Sequence, residues 1–248
     1  MLNCFGRVAV AARQHLVNRV LSNAYSSSPT SLRGGVYELR TYTIKPEYSK
    51  AYLQHSNEYA SLRKQLNPHF LSYFSTELGG TLNQVKHFYH YSDLDQRERV
   101  RGEMQKSRSW SKDFIDAGRH MVEHQESMLY VEAAQCHAAA GVESAVDFIS
   151  PPPVTSCEAS QPVYELRTYQ LRPGYDAVPT LQDKISAGLP GKVAADNESR
   201  LVLYAFSDVG ILNNVIELWR YPSYAASLRA RVAARPVKAW REAIAEYP

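Results

Sequence analysis

Carboxylates are missing from the start of this 248-residue chain: Glu38 is the first, whereas Arg7, Arg13, Arg19 and Arg33 precede it. Without those four arginines, 24 basic residues face 25 acidic ones, so the formal charge of +3 belongs to the leader. The rest carries no basic nucleic-acid footprint. A run of 18 apolar residues is also lacking, so no transmembrane helix is expected. Three cysteines are too few for a disulfide framework, and the spacing of Cys4, Cys136 and Cys157 matches no zinc pattern, which suits a reducing compartment. At 44% hydrophobic and 21% charged, the chain has the means to bury a core and no signature of bulk disorder.

The leader has its own pattern. Wound at 100° per residue, Phe5, Val8, Val10, Leu16, Val17, Val20 and Leu21 fall on one side, and Arg7, Gln14, His15, Asn18 and Arg19 on the other, with Arg13 a misfit. Ser22, Ser26, Ser27, Ser28 and Ser31 follow. An arginine-rich, serine-rich, acid-free amphipathic start reads as a mitochondrial presequence over residues 1–35, cleaved between Tyr25 and Gly35. The alternative is a disordered basic tail.

What the chain does have is the same seven residues twice: VYELRTY stands at Val36–Tyr42 and again at Val163–Tyr169. Each copy runs on to a basic residue, a proline and a tyrosine. At an offset of 130, Gly80, Leu82, Asn83, Val85, Tyr91, Arg99 and Trp110 match Gly210, Leu212, Asn213, Val215, Tyr221, Arg229 and Trp240. An internal duplication of a βαββαβ unit accounts for this. The reading is an α+β fold of tandem ferredoxin-like modules: 36–133, a linker over 134–162 containing Pro151-Pro152-Pro153, and 163–248. In the first copy, strands are expected at Val36–Ile44, Phe70–Thr76, Gln84–Tyr91 and Ser127–Ala133, with a helix after Pro46 and another capped by Asp93. The second copy has eight residues after Trp240 where the first has about 17 before its closing strand. Its last strand is therefore expected to be missing, leaving the Val163–Leu171 edge unpaired.

The paired VYELRTY segments, Gly80-Thr81-Leu82-Asn83-Gln84-Val85 and His87-Phe88-Tyr89-His90-Tyr91 together resemble the NipSnap family, in particular its shorter, third-homolog branch. The resemblance covers nearly all of the chain beyond the leader. It implies two modules forming a dimeric α+β-barrel arrangement in one chain, and a mitochondrial address. It also implies roles in vesicular transport or in flagging damaged mitochondria by binding autophagy adaptors or receptors. No catalytic residue is carried over from the family, and no cofactor or metal is expected.

Several residues are candidates for chemistry. Strand alternation puts Glu38 with Arg40, and Glu165 with Arg167, on one face, either as a polar lining of the barrel interior or as a structural ion-pair ladder. On the third strand of each unit, His87 and Tyr89 diverge from Glu217 and Trp219. A histidine and a carboxylate sharing a proton across a pocket would make a general acid–base pair, whereas the plain reading is a hydrogen-bonded histidine among core aromatics. His120-Met121-Val122-Glu123-His124 matches H-x-x-E-H but has no evident third ligand. Gly79-Gly80-Thr81 reads as a hairpin turn. Tyr91-Ser92-Asp93-Leu94 and Tyr59-Ala60-Ser61-Leu62 fit a short autophagy-binding pattern inside expected ordered elements.

Two functions follow. One is a non-enzymatic mitochondrial adaptor that recruits other proteins, alone or as a homo- or hetero-oligomer. The other is a small-molecule carrier or cofactor-independent enzyme of oxygenase or isomerase type using the barrel interior, by analogy with similar barrels.

Overall fold

The duplicated β-prone segments become equivalent strands in the computed structural model, which describes residues 34–142 and 162–245 and the backbone of 8–14. In the first unit, β2 (Val36–Ile44) leads through a 3₁₀ turn opened by Pro46 into α1 (Ser49–Glu58) and α2 (Ala60–Leu66). Then come β3 (Phe70–Leu78), β4 (Gln84–Tyr91), α3 (Leu94–Lys106), a π-helix (Ser109–Asp116) and β5 (Val122–Glu132). A short α4 (Ala134–Ala139) follows, so the stretch read as linker begins with a helix whose Cys136 and His137 are buried. The second unit runs β6 (Val163–Gln170), α5 (Ala177–Ala194), β7 (Arg200–Val209), β8 (Asn214–Tyr221), α6 (Tyr224–Ala234) and α7 (Lys238–Ala245).

Local chemistry repeats with the strands. The Asp93 side chain accepts from the Gln96 N–H at 2.6 Å to cap α3, and the Ser223 side chain accepts from Ala226 N–H at 3.2 Å to cap α6. Each cap is worth about 1 kcal/mol. Between β3 and β4, Gly79 takes φ +80°, a left-handed turn that favours glycine.

The sheet closes into a barrel in the order β1-β3-β4-β2-β5-β7-β8-β6, all neighbours antiparallel. Its first four-stranded half is β3-β4-β2-β5, the ferredoxin-like order. The other half reads β7-β8-β6, and the place of its fourth strand is taken by β1 (Val8–Gln14). Two expectations change here. The helical winding of the leader does not hold over Val8–Gln14, and the β6 edge is not left unpaired: Ala11 pairs with both Glu165 and Leu78. The physical reason is that β3 and β6 each offer a free row of backbone N–H and C=O groups. A segment inserted between them satisfies both rows at once, which overrides a weak amphipathic period.

Alternation then separates two environments. Tyr37, Leu39, Phe74, Phe88, Tyr164, Leu166, Leu203, Ile216 and Leu218 from both modules meet in one buried cluster inside the barrel. Burying each contributes on the order of 2 kcal/mol. The interior centre is thus filled with apolar and aromatic side chains. The opposite strand faces meet the helices, as separate clusters: one around Tyr52, Tyr73 and Tyr89, the other around Leu181, Trp219 and Trp240.

Candidate functional site

On β2, Glu38, Arg40 and Tyr42 take the helix-facing side, and on β4 Val85, His87, Tyr89 and Tyr91 do the same. Arg40 pairs with His87 across the ladder, and the Tyr42 ring lies 4.8 Å from the imidazole. The expected placement of these polar groups inside the barrel is therefore corrected: they lie on its outer face, beneath the helices. Glu165, Arg167, Glu217 and Trp219 take the same side of β6 and β8 in the second module, with Arg167 opposite Glu217. His87 and Glu217 hold equivalent positions in different modules and do not form an acid–base pair.

In the first module these residues floor a cavity of about 510 Å³ between the sheet and α1, α2, α3 and the π-helix. Arg40, His87 and Tyr89 reach it; Glu38, Glu165, Arg167, Glu217 and Trp219 are not part of its lining. Its walls include Tyr52, Met104, Trp110, Phe114 and Ile115, and Arg101, Lys112 and Arg119 stand among them with one acid, Asp116. Asp116 is itself paired with Lys112 at 2.8 Å and Arg119 at 3.3 Å. The π-helix presents Trp110 and Phe114 together, stacked at 4.6 Å. Helices of this widened type are rare and concentrate at functional sites.

The floor holds buried polar groups with incomplete partners. His87 is 1% exposed and neither ring nitrogen makes a hydrogen bond. Burial, then the Arg63 and Arg40 guanidiniums, hold its pKa well below the usual histidine value against a small opposing contribution from the Arg40 backbone. It is neutral at physiological pH. Arg63, on α2, is 4% exposed and lies over the rings of Phe114, Phe70 and Trp110 at 5.0 to 5.5 Å. Its Nε has no hydrogen-bond partner, and among the described residues no carboxylate pairs with it. Arg40 rests over Tyr42 at 5.2 Å, and Glu38 approaches its Nε only to 3.9 Å. Glu38 is already occupied: Arg97 donates to it at 2.7 and 3.0 Å and Ser127 at 2.6 Å. Burial pushes the Glu38 carboxyl up, but the bonds from Arg97 and Ser127, with the charges of Arg40 and Arg97, outweigh it and keep the group ionised below the usual value.

The second module completes the same framework. Arg167 pairs with Glu165 at 3.0 Å and with Glu217 at 3.4 Å, and Arg231 reaches Glu165 at 2.6 Å. Glu217 also accepts from Trp219 Nε1 at 2.8 Å. Lys192 corresponds to Arg63, since each lies over the tryptophan of its helical layer; its Nζ sits 3.5 Å from the Trp219 ring and 4.3 Å from Trp240. Trp219 in place of Tyr89 and the Glu217 carboxylate in place of the His87 imidazole give that site a larger ring and one more negative charge, although Glu217 Oε1 is itself buried without a hydrogen-bond partner.

A family model described as NIPSNAP matches residues 37–137 and 164–247, the two modules in turn. This chain belongs to the NipSnap family. Similar curated members are human protein NipSnap homolog 3A, 26% identical over 84% of this chain and 78% of its own length, and the Dictyostelium discoideum NipSnap homolog, 25% identical over 94% and 90%. Among solved structures, a Fusobacterium nucleatum protein provisionally described as a monooxygenase superposes with TM-score 0.55 at 10% identity, covering 86% of this chain and 85% of its own. That likeness concerns the fold, a dimeric α+β barrel built in one NipSnap chain.

Other sequence candidates lie elsewhere. His120 sits in a 3₁₀ turn and Glu123 and His124 on β5, so the one-turn helical spacing that H-x-x-E-H needs does not exist. Tyr91 of the first autophagy-type tetrad is fully buried, and Tyr59 of the second packs on Phe114. Cys4 and Cys157 lie outside the described residues. Arg63 was missed, although Tyr52, Ser56, Tyr59, Arg63 and Leu66 recur at four- and three-residue steps. A lone cation in such a stripe was the available signal.

Proposed function

We propose that this NipSnap protein binds a small molecule in the first-module cavity, on the outer face of the sheet. The observation that carries the reading is the contrast between modules. Where the second sets Glu217 opposite Arg167 and places Trp219 beside it, the first leaves His87 and Arg63 buried with incomplete partners, and Arg40 partly buried, beside open volume. Burying polar groups without partners is costly, and a ligand that supplies them offsets that cost. The size and the mixture of aromatic walls with a few convergent polar groups are those of ligand sites. With its pKa held well below the usual value by burial and two guanidiniums, His87 is a weak base, and it serves the site as a neutral hydrogen-bonding group.

The test is a thermal-shift screen of small molecules against the whole chain and against His87→Glu. Compounds that stabilise the wild type and not the variant support the reading; hits that ignore the substitution defeat it.

A second reading, the protein-recruiting adaptor, draws support from exposed Leu78, Leu82, Val209, Ile211 and Leu212 near the β3–β4 and β7–β8 hairpin tips. Strand directions bring both tips to one end of the barrel, and exposed apolar patches of this kind mark contact surfaces. The arginine-rich, acid-free start supports a mitochondrial address for either activity. Cleavage between Tyr25 and Gly35 would remove β1, so the mature form would then need another strand at β3 and β6.

A further inference from the structure

We propose that the ligand of this pocket is a carboxylate on an apolar, aromatic body, its planar oxyanion held between the Arg40 and Arg63 guanidiniums above His87. The inference rests on the pocket being a ligand site and adds the chemical class. Charge comes first. Arg63 is buried with aromatic rings for neighbours and no carboxylate among the described residues. Arg40 sees Glu38 only at 3.9 Å, and the short contacts of Glu38 go to Arg97 and Ser127. In the second module the equivalent arginine has Glu217 at 3.4 Å as a second carboxylate. Replacing that residue by His87 removes one negative charge from the ladder position facing Arg40. A ligand carboxylate restores it.

Shape argues for the body and against a bulkier head. Tyr42 and Tyr73 each lie 4.8 Å from the imidazole of His87, and Trp110 and Phe114 stack over Arg63. Flat rings around flat guanidiniums leave a slot suited to a planar anion, which arginine binds through paired N–H donors. A tetrahedral, strongly hydrated phosphate fits such walls poorly. His87 lies at the floor with its ring nitrogens buried and without a side-chain partner.

The experiment is a calorimetric titration of the full chain with 2-naphthoate, with its neutral isostere 2-naphthamide and with inorganic phosphate. The expected result is saturable naphthoate binding at least about tenfold tighter than naphthamide. Arg40→Gln should remove that preference, and Arg63→Lys, which keeps the charge and the fold, should weaken it. Equal binding of naphthoate and naphthamide, both lost in His87→Glu, overturns the carboxylate and leaves the pocket reading intact. Phosphate binding tighter than naphthoate overturns it in favour of a phosphate head. If none of the three binds to the folded wild type, the carboxylate reading falls, and the pocket reading is decided by the thermal-shift screen.

Discussion

His87 and Glu217 occupy the same ladder position in the two modules, each directly across from an arginine, Arg40 and Arg167 respectively. One position therefore separates an arginine with two carboxylate partners, Glu165 and Glu217, from a partly buried one whose carboxylate, Glu38, comes no nearer than 3.9 Å.

Exchanging that residue should convert one module toward the other. In His87→Glu the new carboxylate faces Arg40 as Glu217 faces Arg167. Unfolding free energy should stay within about 1 kcal/mol of the wild type, because the buried acid finds a partner. Binding of the pocket's ligand should fall by more than about tenfold. Denaturant unfolding and titration calorimetry on the same sample check both halves.

Acid should destabilise the fold through its histidines. His87, His90 and His69 all have pKa values lowered by burial, as does His137, to about 4. The unfolded chain takes up their protons near pH ~6.5 and the folded chain does not, so the unfolded state binds more protons below that pH. Stability is therefore full above about pH 6.5 and falls as the pH drops toward the folded-state values. His87 and His137, whose values lie furthest below the usual one, each contribute a slope of at most about 1.4 kcal/mol per pH unit, and the more exposed His69 contributes less. His87→Phe should lose one such slope, seen as a flatter plot of unfolding free energy between roughly pH 6.5 and 5.

Glu38 should matter more to stability than to binding. It is fully buried and holds Arg97 of α3 against the sheet, with Ser127 of β5 as a third anchor. Glu38→Gln leaves two guanidiniums short of charge and should cost about 3 kcal/mol in chemical denaturation. The Glu38 and Glu165 carboxyls serve as the matching ties of each module, which is why the motif containing them occurs twice.

Strand β1 should be part of the cooperative unit. Proline at Ala11, whose backbone lies between Leu78 and Glu165, removes an N–H in the middle of a paired strand. Ala11→Pro should lower stability by about 3 kcal/mol and expose the β3 and β6 edges to association. Scanning calorimetry and sedimentation would read the two effects separately.

These outcomes also mark how far the sequence could be read. The duplication was visible because VYELRTY is spelled twice, and a βαββαβ unit repeated in tandem leads directly to the two-module barrel. Asp93 announced its helix by local capping chemistry alone. Strand β1 was not visible: its pairing spans at least 60 positions to β3 and at least 150 to β6, and no local period records it. At the site, alternation grouped Glu38 with Arg40 and His87 with Tyr89 correctly, but it could not say which face the helices would cover. Equivalence between copies was then mistaken for proximity, which set His87 against Glu217. Arg63 escaped because a cation among aromatics is recognised by the rings that tertiary packing brings to it, Phe70, Trp110 and Phe114.

The most direct measurement is a native mass spectrum of the full chain, purified gently from its own cells, beside the His87→Glu variant. Ligand binding in the first module requires a reproducible small-molecule adduct on the wild type that is absent from the equally folded variant. A clean unliganded mass for the wild type, with other protein chains co-purifying, would contradict it and leave the recruiting role standing.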